Sequence, residues 1–116
     1  MSQFVPDVLS EDVERILERD FPAEARDKLR RLIEQIQLIE KLRVVVACMK
    51  NAAGDAQKLK NNLGQAEGYY RETLSEAEYP NYEKKMFRID KLSEAEKAKI
   101  IEKDKAQYLS WFNRGK

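Results

Sequence analysis

Apolar residues recur along this chain at steps of three and four rather than in alternation, and that period predicts helices from about residue 10 onward. Pro6 discourages a helix before it, so residues 1–9 read as an extended lead-in. Ser10 can cap a first helix, with Glu11, Asp12 and Glu14 at its positive end and Val13, Ile16, Leu17 and Phe21 on its apolar face. Pro22 stops that helix and fits the first turn of a second. The second is predicted over residues 22–53, about 48 Å at 1.5 Å per residue. Leu29, Leu32, Ile36, Ile39, Leu42, Val46, Met49 and Ala53 mark its seam, with a spacing of about 3.5 residues that keeps one stripe against a partner helix. The triple valine at 44–46 would suit a strand by propensity, but seam residues continue on both sides, so a helix buried nearly all round is expected there.

Gly54-Asp55 is the predicted break, Gly as a C-terminal stop and Asp as the next N-cap. A third helix follows over residues 56–78, with Leu59, Leu63, Ala66, Tyr70, Leu74 and Ala77 on one face. The rival is one helix running straight through Gly54, which costs only ~1 kcal/mol relative to Ala. Gly64 and Gly68 leave a helix face with little side-chain height, suited to close approach by a bulky residue such as Trp111 or to a flexible stretch. Pro80 ends the third helix, and a short helical turn is expected around Met86 and Phe87. Ser93-Glu94-Ala95-Glu96 matches a capping box and opens a last helix to about residue 113. The expected fold is a single all-α domain over residues 1–116. It comprises a long antiparallel helical hairpin, a short N-terminal helix, and a C-terminal helix packed on the hairpin.

Composition agrees with long solvated helices: 37% of residues are charged, with four Gly and three Pro. The net charge of +1 favours neither nucleic acid nor a membrane surface. Charge is nevertheless segmented, acidic over 1–24, basic over 25–60, acidic over 61–79 and basic over 80–116, as suits helices that pair internally. The single cysteine, Cys48, excludes an intramolecular disulfide and sits in an apolar run where a thiol behaves as a small buried hydrophobe. Residues 1–10 have neither the basic nor the apolar region of a signal peptide, and the longest apolar run is six residues, so a cytoplasmic protein with no membrane partner is expected.

The absence of any His removes the usual general base and the usual zinc ligand. No glycine-rich phosphate loop is present, and with no His in the chain no serine has a candidate base. No catalytic residue, cofactor or metal site is therefore assigned. Glu72 and Glu76 share a helix face, and with Asp104 they form the one carboxylate set that could hold a hard cation; solvated face charges are the plainer reading. Arg26, Lys28, Arg30, Arg31, Lys41 and Arg43 invite a nucleic-acid reading, against which Asp27, Glu34 and Glu40 are interleaved. Aromatic residues crowd the second half, and Tyr69 and Tyr70 are adjacent, so both cannot face one core. The expected interaction surface comprises Tyr69, Tyr79, Tyr82, Asp104, Tyr108 and Trp111.

Residues 77–82 (Ala-Glu-Tyr-Pro-Asn-Tyr) and 104–111 (Asp-Lys-Ala-Gln-Tyr-Leu-Ser-Trp) carry a further sign. Through them the chain from Gly54 onward resembles a group of small, uncharacterised helical bacterial proteins. That resemblance implies a compact helical protein in which the turn at 79–82 meets the final helix, and no activity or ligand. The functional expectation is a non-catalytic module that binds a protein partner or a second copy of itself. A nucleic-acid-associated protein using residues 26–43 is the first alternative, and a small ligand binder or enzyme with a carboxylate–tyrosine site the second.

Overall fold

The structure, a computed structural model, describes residues 7–84 and 91–116, with the backbone alone for 83–84. It is all-α: helices α1 (Ser10–Asp20), α2 (Ala23–Gln35), α3 (Lys41–Ala52), α4 (Ala56–Glu78), α5 (Pro80–Lys84) and α6 (Glu94–Phe112), with no strand among the described residues. The helical turn expected around Met86 and Phe87 lies outside the described residues.

α3 is the centre of the molecule. Val44, Val45, Val46, Ala47, Cys48 and Met49 are all wholly buried. Six consecutive residues cover the whole circumference of a helix, so neighbours must enclose α3 on every side. α4 makes the most extensive interface with it, α1 also packs on it, and α2 rests on α4 and α1. Tyr108 and Phe112 of α6 enter the same core.

That enclosure explains the main departure from the expected hairpin. The helix predicted over 22–53 is two helices, parted at Ile36–Glu40, where Ile36 is extended (φ −72°, ψ 142°) and Glu40 left-handed (φ 49°, ψ 49°). No Gly or Pro stands in this linker. A straight helix of that length would carry α2 away from the core, whereas the break folds it back onto α4. The 3.5-residue seam is therefore not one continuous stripe: Leu29 and Ile36 are buried, while Ile39 is 63% exposed.

Gly54 does break the chain. Ala53 and Gly54 both have positive φ (51° and 86°), and the Asp55 carboxylate accepts from Gln57 N (2.9 Å) and Lys58 N (3.0 Å) to cap α4. α4 has the expected bounds but is not straight, because Tyr69 leaves helical geometry (φ −130°, ψ 40°) just after Gly68. Among the described residues the small face at Gly64 and Gly68 receives no neighbour, since a Cβ at either would meet nothing within 4 Å. The close approach expected there is absent, and Trp111 lies elsewhere.

Two capping expectations also change. Leu9, not Ser10, is the N-cap of α1: its N–H donates to Asp12 Oδ2 (2.9 Å), because an Asp in the first turn reaches back more readily than the preceding serine. Pro22 stands at the N-cap of α2, just outside its first turn. At α6 Ser93 caps as expected, accepting from Glu96 N at 3.1 Å.

Candidate binding cleft

The aromatic residues singled out in the sequence divide between core and surface. Tyr108 is wholly buried, stacked on Phe112 (5.7 Å between ring centres) and tilted against Trp111 (6.1 Å), and burial pushes its phenol well above the ordinary tyrosine value. Tyr108 is thus a core residue and not part of an interaction surface. Asp104 is also wholly buried; its carboxylate accepts from Asn81 N (2.9 Å) and Tyr82 N (3.0 Å), tying the turn at 79–82 to the final helix. With those oxygens engaged and Glu72 and Glu76 exposed, these three carboxylates do not come together as a cation set; no metal-holding group of acidic or Cys residues occurs among the described residues. Tyr79 and Tyr82 are half-buried beside α6. Tyr69 is 64% exposed at the α4 kink and lines a separate shallow depression, while Tyr70 turns toward the core.

Trp111 alone of these lines a cleft of about 520 Å³, where the C-terminal ends of α1, α3 and α6 converge. Arg19, Asp20, Lys50, Gln107 and Arg114 supply its polar groups, and Ala53-Gly54 one wall. The Arg19 guanidinium lies 5.0 Å from the centre of a Trp111 ring. It also donates to Asp20 (2.7 Å) and to the carbonyls of Trp111 (2.8 Å) and Arg114 (2.9 Å). Arg15, one turn earlier, donates to Phe112 O (2.6 Å), so two arginines of α1 satisfy the open carbonyl end of α6. Gln107 is held by Ala77 O (3.2 Å) and Asp104 O (2.9 Å).

Lys50 differs from Arg19. It is half-buried and makes no hydrogen bond or ion pair within hydrogen-bonding distance among the described residues. Burial lowers its pKa, against which the more distant Asp104 and Glu76 carboxylates act. The sequence reading missed Lys50, Arg19, Asp20, Gln107 and Arg114. The available signals were that Arg15 and Arg19 share one stripe of α1 and that Lys50 is the first charge after the buried run.

The basic block at 26–43 is largely engaged within the fold. Arg26 donates to the carbonyls of Phe21 (2.9 Å) and Glu18 (2.6 Å) at the end of α1, Arg30 pairs with Glu14 and Asp27, and Lys41 donates to Glu34 O (3.2 Å). Arg43 grips the wholly buried Glu78 through two hydrogen bonds of 2.8 and 2.6 Å. Glu14–Arg30 and Arg43–Glu78 join blocks of opposite sign, which is the internal complementarity the charge pattern suggested. Cys48 is buried, as expected, and burial pushes its thiol up to about 12.

Among the described residues no helix is long and apolar enough to cross a membrane. No family model, no curated protein and no solved structure matches the chain.

Proposed function

We propose that this chain is a non-catalytic helical binding module that receives an acidic segment of a protein partner in the cleft between α1, α3 and α6. The observation that carries this reading is the half-buried Lys50 ammonium, without an ion-pair partner among the described residues, beside the Trp111 indole. Arg19 is already committed to Asp20 and to backbone carbonyls, so Lys50 and Arg114 are the cations left to an incoming carboxylate. An indole wall adds apolar contact to that charge, the combination that concentrates binding energy in interfaces. Support for a non-catalytic role comes from the lack of His and from a thiol held protonated in the core. The nucleic-acid alternative draws less support, because Arg26, Arg30 and Arg43 face internal partners and leave Lys28 and Arg31 as the exposed bases of the block.

Trp111 is the only tryptophan, so its fluorescence reports directly on the cleft. Titration with a short Glu-rich peptide should give a saturable change that weakens with salt, with none from a Lys-rich peptide of equal length. Lys50→Gln should weaken the acidic peptide about tenfold or more while leaving the circular dichroism spectrum intact. An unchanged Trp111 signal at millimolar acidic peptide would overturn the reading.

A further inference from the structure

We infer that α2 and α3 can fuse into one continuous helix, and that this opening lets two copies of the chain exchange their α1–α2 arms as a dimer. At the Ile36–Glu40 linker local sequence and fold disagree. Gln37, Leu38, Ile39 and Glu40 are ordinary helix-compatible residues with no Gly or Pro among them, and the apolar seam runs through them from Leu29 to Met49. In the closed chain Glu40 is held at φ 49°, a left-handed conformation unfavourable for any residue with a Cβ, and Ile39 is 63% exposed. The left-handed backbone disappears if residues 36–40 become helical.

A fused helix over residues 23–52 would be about 45 Å long. It would carry the arm beyond reach of its own α3, α4 and α6. The contacts the arm makes are specific and can be remade on a second copy: Ile16, Leu17 and Phe21 in the core, and Arg15 and Arg19 on the carbonyls ending α6. Glu14–Arg30 stays within the arm and travels with it. Exchange therefore loses none of these contacts. It releases two strained linkers. The partner is a second copy of this chain.

The test compares the intact chain with Glu40→Gly and Glu40→Ala, each refolded near 1 mM and measured by sedimentation and circular dichroism. Glycine accepts the left-handed linker and resists the helix, so Glu40→Gly should lower the dimerisation constant about a hundredfold, tenfold at each of two linkers. It should also raise the melting temperature of the monomer. Glu40→Ala removes only the ion pair to Arg43 and should dimerise within about threefold of the intact chain. The dimer should show more helix per chain than the monomer. A chain that stays monomeric, a dimer with unchanged helicity, or equal weakening by Gly and Ala would each overturn the inference.

Discussion

Two connections flank the buried helix α3, and both pass through left-handed backbone. At the exit, Ala53 and Gly54 have φ of 51° and 86°, and Asp55 caps the helix that follows. At the entrance, Glu40 adopts φ 49° with no glycine, proline or side-chain cap to favour it. The exit is specified by its own residues, and Gly54 is doubly required: a Cβ there would be strained at this φ and would lie 3.0 Å from Asp20 O. The entrance is held by what surrounds it. Ile36 is buried before the linker, and Arg43, one turn after it, is anchored on Glu78 at the far end of α4. A turn can thus be encoded locally or imposed from a distance, and the two respond to different mutations.

The largest expected effect tests the imposed turn. Arg43→Ala leaves the Glu78 carboxylate buried without its guanidinium, which should cost about 3–5 kcal/mol. Chemical denaturation measures it, and adding Glu78→Leu should restore part of the loss, because the buried charge goes too. A loss below about 1 kcal/mol would mean the entrance does not depend on that anchor.

The encoded turn is tested by one substitution made at two places. Gly54→Ala should destabilise by about 1–2 kcal/mol through strain at positive φ and contact with α1. Gly64→Ala, helical and facing open space, should instead stabilise by up to about 1 kcal/mol. Melting temperatures that move in the same direction would remove the distinction between the two glycines.

The smallest effect concerns pH and the arm that leads into the imposed turn. Burial raises the Asp12 pKa, but the Leu9 N–H and the Arg15 guanidinium together more than offset it, so the net shift is downward. The hydrogen bond from Arg30 likewise lowers Glu14. A carboxyl lowered in the folded state stabilises the fold fully above its unfolded value, here 3.8 and 4.5, and that contribution fades as pH falls through the folded value. Hydrogen exchange between pH 5 and 3 should therefore show α1 opening before α4. Simultaneous opening would mean these pairs do not hold the arm.

Much of the architecture was legible in the residues themselves. Helical spacing, the capping serine at 93, Pro80 and the Gly54-Asp55 pair are local signals whose physics acts within one turn of chain, and they place α4 and α6 to within a residue. The unbroken apolar run at 44–49 likewise implied a helix with no solvated face. The candidate site was less legible. Trp111 was visible as an anchor, but Lys50, Arg19 and Arg114 lie far apart in the chain and converge only because three helix ends meet. Tyr108 and Trp111, three residues apart on one helix, were indistinguishable in sequence, yet packing put the first in the core and the second in the cleft. The linker at 36–40 carried no local signal at all. Its break follows from the need to enclose α3 on every side, a constraint set by burial over the whole fold and not by any residue within the linker.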